Sequence, residues 1–81
     1  MGIGDDETEL QRACRDAGLS NGDLWLRYFG LGGSAMPAEV RDYVRGTREP
    51  AAIEYDVVAQ AINERYMELD RPERLPYARE K

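Results

Sequence analysis

Residues 24–33 read Leu-Trp-Leu-Arg-Tyr-Phe-Gly-Leu-Gly-Gly and hold the only tryptophan and the only phenylalanine of the chain. Large apolar side chains crowd this stretch until it reaches Gly32 and Gly33, a pattern typical of a short buried helix that ends where the backbone needs φ > 0. Apolar residues cover most of its circumference, so we expect it to be the most buried helix. One apolar stripe of this helix comprises Leu24, Tyr28 and Leu31, and the adjacent stripe comprises Trp25 and Phe29.

Three further segments repeat apolar residues at helical spacing. The first begins at Asp6, with Glu9 three residues later, which predicts a capping box. Ser20 or Asn21 can cap the second helix, which contains Leu24 to Leu31, and Ser34 can cap the next one. Pro37 then stands in a first turn that tolerates proline. The predicted helices span residues 6–17, 21–31, 37–45 and 51–69, with Gly18 and Gly46 ending two of them.

The longest predicted helix is expected to hold the fold together. Its apolar stripe comprises Ile53, Val57, Val58, Ala61, Ile62, Tyr66 and Leu69. The sequence therefore predicts an all-α fold, a compact bundle of four helices with a flexible C-terminal tail. A chain of 81 residues supports one core, so residues 1–70 form the single predicted domain. Residues 71–81 contain two prolines and mixed charge, and we expect them to be extended or disordered.

The composition excludes several classes of function. A net charge of -5 opposes general attraction to nucleic acid and to anionic lipid. No segment approaches the length of a membrane span, and the N-terminus lacks the pattern of a signal peptide. The single Cys14 cannot form an internal disulfide, which is compatible with a reducing compartment. We therefore expect a cytoplasmic protein that binds neither membrane nor nucleic acid.

No set of residues predicts catalysis. The chain has no histidine, so no imidazole can activate Cys14, which lies on the apolar stripe of the first helix and is interpreted as a small core residue. The carboxylates are scattered at helix starts and on solvent faces, and no pair of them predicts acid and base catalysis. We expect a protein that is not an enzyme and that has no cofactor or metal site.

By elimination, the sequence predicts binding to another protein, as a small regulator or adaptor, or to a second copy of the chain. Such an interface needs an apolar or aromatic patch with arginine at its edge. The candidate partner-binding residues are Trp25, Arg41, Tyr43, Arg45, Tyr66 and Met67. The alternative for each is a place in the core, and for Trp25 the core is the preferred interpretation.

One alternative is a helix-turn-helix protein that binds DNA. Arg41, Arg45 and Arg48 follow i, i+4, i+7 spacing and would form a basic ridge on the third helix. Asp42 and Glu49 dilute this ridge, and the helix dipole alone favours arginine near a C-terminus.

A second alternative comes from residues 28–36, Tyr-Phe-Gly-Leu-Gly-Gly-Ser-Ala-Met. They resemble the phosphopantetheine attachment motif of peptidyl and acyl carrier domains, which implies a carrier modified at Ser34. In that family the modified serine follows one residue later, where this chain has Ala35, and Pro37 falls where the family continues an uninterrupted helix.

A longer resemblance covers residues 24–69. Its pattern is Leu-Trp-x-Arg-Tyr-Phe-x-Leu-Gly-Gly, then Pro-x-Glu-Val, Tyr-x-x-Gly and Asp-Val-x-Ala-x-Ala-x-Asn-Glu-Arg. This pattern resembles a group of short, uncharacterised helical proteins of actinobacteria, and implies a shared fold and a cytoplasmic setting without implying an activity. The use of arginine for every basic residue except Lys81 agrees with a GC-rich coding genome.

Overall fold

The computed structural model describes residues 7–78, which form four α-helices and no strand. Helix α1 spans Glu9–Ala17, α2 spans Asn21–Gly30, α3 spans Pro37–Arg45 and α4 spans Ala52–Glu68. The predicted all-α bundle of four helices is confirmed. Helix α4 packs against α1 and α2, and α3 packs against the same two helices.

Helix α1 starts later than predicted because its cap is Thr8. The Thr8 hydroxyl accepts from the backbone N–H of Gln11 at 2.9 Å, and the Gln11 side chain accepts from the Thr8 N–H at 3.1 Å. The same hydroxyl donates to the carbonyl of Val44 near the end of α3. Asp6 lies outside the described residues. The predicted role of Glu9 as the third residue of the capping box is wrong, because Glu9 is the first residue of α1 and Gln11 completes the box with Thr8, which also ties α1 to α3.

Helix α2 is not the most buried helix. Leu24 and Tyr28 are fully enclosed, but Leu26 and Phe29 are 63% and 58% exposed. A helix of ten residues that packs on α3 and α4 through one side leaves its opposite side in solvent, whatever side chains stand there.

Helix α4 contributes the largest share of the core. Its buried residues are Val58, Ala59, Ala61, Ile62, Asn63 and Tyr66. The predicted stripe is wrong at both ends, because the side chains of Ile53 and Leu69 are exposed. Ile53 lies in the first turn and Leu69 just beyond the last residue, where neighbouring helices no longer cover α4.

The glycines close the helices in two different ways. Gly18 and Gly46 adopt left-handed conformations with φ of 71° and 84° and end α1 and α3 as predicted. Gly32 is also left-handed, with φ of 97°. Gly33 is not, so the prediction of φ > 0 there is wrong. Gly33 is needed for space instead, because a Cβ at this position would lie 2.2 Å from Cζ of Tyr28.

The described part of the tail is extended and packs on the bundle. Asn63 clamps Leu75: its Nδ2 donates to the Leu75 carbonyl at 3.0 Å, and its Oδ1 accepts from the Leu75 N–H at 2.7 Å. Arg71 binds the Asp16 carboxylate at 3.1 Å. Leu75 thereby joins the core, which extends past the boundary expected at residue 70. Residues 79–81 lie outside the described part of the chain.

Candidate protein-binding face

One side of the bundle presents large apolar side chains to solvent. Leu26 and Phe29 project from α2, and Met36, just before α3, is 64% exposed. We use the name α2–α3 face for the surface formed by Trp25, Leu26, Phe29 and Met36. It results from the spacing of α2: once Leu24 and Tyr28 point inward, positions 25, 26 and 29 must point sideways or outward.

The aromatic pair at the centre of this face is held in place. The rings of Trp25 and Phe29 stack with centroids 5.1 Å apart and planes inclined by 21°. The indole Nε1 of Trp25 donates to the Ala35 carbonyl at 3.0 Å. Trp25 is half-buried, so it both packs against the core and supports the exposed ring of Phe29.

The hydroxyl of Tyr28 fixes the loop between α2 and α3. It accepts from the Ala35 N–H at 2.8 Å and donates to Oε1 of Glu54 at 2.6 Å. Burial, followed by this bond to Glu54, raises the pKa of Tyr28, so the hydroxyl keeps its proton at neutral pH. The backbone that carries Met36 is therefore anchored to both α2 and α4.

An open groove runs between the start of α2 and the start of α3. Its volume is about 310 Å³, and it is lined by Asn21, Gly22, Pro37, Ala38 and Arg41. Small side chains on both helices allow another chain to approach closely. The guanidinium of Arg41 stands at the edge of the groove.

Two arginines of α3 differ from the other described arginines. Arg41 and Arg45 are exposed, and neither pairs with a carboxylate of residues 7–78. All the other described arginines contact a carboxylate or, for Arg74, the ring of Tyr77. Those paired with carboxylates are Arg12, Arg15, Arg27, Arg48, Arg65 and Arg71.

The structure does not bring the six predicted site residues together. Trp25 is part of the α2–α3 face, Arg41 lines the groove at the start of α2 and α3, and Arg45 lines another groove, with Glu7 and Arg15. Tyr43 lines a different groove, with the loop between α3 and α4. Tyr66 is 4% exposed, and its hydroxyl donates to Asp16 at 3.2 Å, so it is a core residue and not part of an exposed surface. Met67 is 70% exposed and lies on α4, not on α2 or α3.

Sequence reasoning missed Leu26, Phe29 and Met36. A signal was present, since a short helix that is apolar all round must either be enclosed or expose part of its apolar surface. The sequence pattern alone could not decide between these outcomes.

The structure corrects details of the two alternatives, the carrier modified at Ser34 and the helix-turn-helix protein that binds DNA. Met36, not Ser34, is the N-cap of α3, so the capping role predicted for Ser34 is wrong. Ser34 itself is exposed. Helix α3 ends at Arg45, so Arg48 lies beyond it and contacts Glu39 at 3.3 Å. The expected ridge of three arginines on one helix is therefore wrong. Modification at Ser34 and DNA binding themselves stay predictions.

Cys14 is a core residue, as predicted, and burial raises the pKa of its thiol to about 11. In the described part of the chain, no cluster of three or more histidine, cysteine or carboxylate side chains could hold a metal ion. None of the helices described is long and apolar enough to cross a membrane.

No protein-family model, no curated protein and no solved structure matches the chain. The resemblance to short actinobacterial proteins stays a prediction.

Proposed function

We propose that this protein is a non-enzymatic interaction module, a small regulator or adaptor, that binds another protein through its α2–α3 face. The observation that carries the proposal is the fixed Trp25–Phe29 stack, with exposed Leu26 and Met36 beside it. Scattered apolar side chains are normal on protein surfaces, whereas a contiguous patch with aromatic rings is typical of a binding site.

The energies support this assignment. Fully covering an exposed large apolar side chain contributes roughly 1.5–3 kcal/mol. Leu26, Phe29 and Met36 are 63%, 58% and 64% exposed, so together they offer on the order of 3–5 kcal/mol. Association costs an estimated 4 kcal/mol or more in lost translational and rotational freedom, and this contribution offsets part of that cost. The Trp25–Phe29 stack is already ordered, which lowers the entropy lost when a partner covers it.

We place this function in the cytoplasm. The buried free thiol of Cys14 supports a reducing compartment. The proposed setting is bacterial, on the strength of the arginine bias and the actinobacterial resemblance.

Affinity purification from the native cells tests the proposal. The bait variant Leu26→Ser/Phe29→Ser removes the outer part of the face and should fold normally, because both side chains are exposed in the free protein. The matched control Ile53→Ser/Met67→Ser removes two apolar side chains that are 71% and 70% exposed on α4. Wild type and control should retain the same partner, and the face variant should lose it.

Retention of the partner by the face variant, with matching circular dichroism spectra, would refute the proposal. The same eluates distinguish the alternatives. Nucleic acid that survives in the wild-type eluate and disappears with Arg41→Glu/Arg45→Glu would favour DNA binding. A discrete mass addition abolished by Ser34→Ala would favour the carrier function; we expect no such addition.

A further inference from the structure

We infer that two copies of this chain exchange their C-terminal segments and so form a dimer. The tail segment, residues 71–78, of each copy lies on α1 and α4 of the other copy, in the place that its own tail segment occupies in the monomer. The exchange needs no new recognition chemistry, because the contacts within one chain are remade between two. This inference goes beyond the proposed function and does not depend on it.

The tail segment runs antiparallel to α4. Leu75 is held by the side chain of Asn63, through hydrogen bonds of 3.0 and 2.7 Å to its carbonyl and its N–H. Three residues further along the tail, the N–H of Ala78 donates to Oδ1 of Asp56 at 2.6 Å, seven residues nearer the start of α4. The chain therefore reverses its direction between the end of α4 and the tail segment.

A displaced tail segment leaves groups that need a partner. Asn63 and Leu75 are only 8% and 5% exposed. Without the tail segment, the amide of Asn63 loses both hydrogen bonds and the side chain of Leu75 enters water, so an open monomer is disfavoured. The tail segment of a second copy restores the same bonds because it has the same sequence. A second copy is thus the occupant whose fit to this surface is already visible within one chain.

The turn that precedes the tail segment is short and strained. Asp70 has φ of 58° and is the only left-handed residue other than glycine among residues 7–78. It closes a Schellman motif, in which the N–H of Arg71 donates to the Tyr66 carbonyl at 3.0 Å. Gly18 and Gly46 end α1 and α3 in the same conformation but have no Cβ. The turn after α4 therefore stores conformational free energy that those two turns do not, and short hinges under strain favour exchange.

Relief of this strain directs the tail segment away from its own chain. If Asp70 takes the right-handed conformation, α4 continues straight and the tail segment no longer folds back along it. Pro72 limits the extension, because the residue before a proline is disfavoured in a helix. The tail segment then stays extended, as it is when it is bound. A change of backbone conformation at one residue separates the closed monomer from the form that exchanges.

The charge distribution favours a tail segment on another copy. Residues 71–81 contain four basic and two acidic residues, a net charge of +2, so residues 1–70 carry -7 of the total of -5. Arg71 makes this attraction local, since it donates to the carboxylate and the carbonyl of Asp16 at 3.1 and 3.0 Å. Two whole chains repel each other, but charges farther apart than about 8 Å are largely screened at physiological salt. The attraction of the basic tail to the acidic helices acts at short range and is retained.

Hinge variants test the inference by size-exclusion chromatography with light scattering over a range of protein concentrations. Asp70→Ala disfavours the left-handed conformation and favours helix, so the dissociation constant of the dimer should fall at least about tenfold. Asp70→Gly removes the strain and should raise that constant by about as much. The matched control is Asp70→Asn, which tolerates the left-handed conformation as aspartate does and should behave as wild type.

A mixture of single-cysteine variants shows where the tail segment lies. Asp56→Cys and Ala78→Cys are each made in a Cys14→Ala background, mixed and oxidised. We expect mass spectrometry to find a disulfide between the two variants, with a yield that Asp70→Ala increases and Asp70→Gly decreases. Ser34→Cys replaces Asp56→Cys in the control mixture and should form no such disulfide above the background of random collision. Circular dichroism checks the folding of every variant.

The remaining outcomes overturn the exchange. Monomers of wild type and of Asp70→Ala at roughly millimolar concentration would do so, as would a dimer that the alanine and glycine variants form equally well. A dimer without the mixed disulfide, converted to monomer by Leu26→Ser/Phe29→Ser, would place the second copy on the α2–α3 face instead. A mixed disulfide that persists in that face variant supports the exchange and leaves two α2–α3 faces free on each dimer.

Discussion

Replacing Gly33 with alanine should destabilise the fold through a single steric contact. A Cβ on Gly33 would lie 2.2 Å from Cζ of Tyr28 and 2.4 Å from both Cε atoms. The ring cannot move aside easily, because Tyr28 is fully buried and its hydroxyl is held by Ala35 and Glu54. Overpacking of this kind typically costs about 1–3 kcal/mol. For a domain of this size each kcal/mol lowers Tm by roughly 4–8 °C.

A double-mutant cycle with Tyr28→Leu isolates that contact. Leucine lacks the far ring atoms that meet the new Cβ, so Gly33→Ala should be nearly neutral in the Tyr28→Leu background. We expect a coupling energy of more than about 1 kcal/mol. Gly30→Ala is the control, since a Cβ there has nothing within 4 Å and should be tolerated.

Urea and thermal unfolding followed by circular dichroism measure all four corners of the cycle. The reasoning about close approach is refuted if Gly33→Ala has the same unfolding midpoint as wild type. It is also refuted if Gly33→Ala lowers the free energy of unfolding as much in the Tyr28→Leu background as in the wild type.

Three further predictions concern stability and reactivity. Ile62→Ala should cost about 2–5 kcal/mol in urea unfolding, because Ile62 is fully buried on α4; an unchanged midpoint would contradict its place in the core. The hydrogen bond from Arg27 lowers the pKa of Glu68 to about 2, so this pair stabilises the fold at neutral pH and the stabilisation should fade as pH falls from about 4.5 towards 2. Glu68→Gln should flatten the stability profile in that acid window, and an unaltered profile would speak against the ion pair. Cys14 should resist iodoacetamide at pH 8 in the folded protein and react on unfolding, as mass spectrometry would show; rapid native labelling would be inconsistent with its burial.

The sequence predicted the helices because their signals are local. Helix α3 has its predicted bounds, and α2 and α4 are each within one residue of theirs at both ends. Ser20, Pro37 and Gly46 fix three of these ends through contacts within a few residues. The start of α1 was misplaced because Asp6 and Thr8 can both accept a capping bond, and a tertiary contact to Val44 favours Thr8.

Features that depend on distant residues could not be predicted. The clamp between Asn63 and Leu75 joins a polar side chain to the backbone 12 residues away, and no periodic pattern in the sequence indicates this contact. The identity of the exposed side of α2 depends equally on where α3 and α4 pack. Of the residues of the α2–α3 face, the sequence predicted only Trp25 as a candidate site residue, whereas Leu26, Phe29 and Met36 required the packing to be known.

Site-specific photo-crosslinking in the native cells tests the proposed binding face most directly. A benzophenone amino acid is placed at Phe29 in the α2–α3 face and, as the matched control, at Met67 on α4, since both positions are exposed. We predict a discrete adduct with one protein on irradiation of the Phe29 variant, and none from the Met67 variant. An adduct from Met67 with none from Phe29 would contradict the assignment of the binding face.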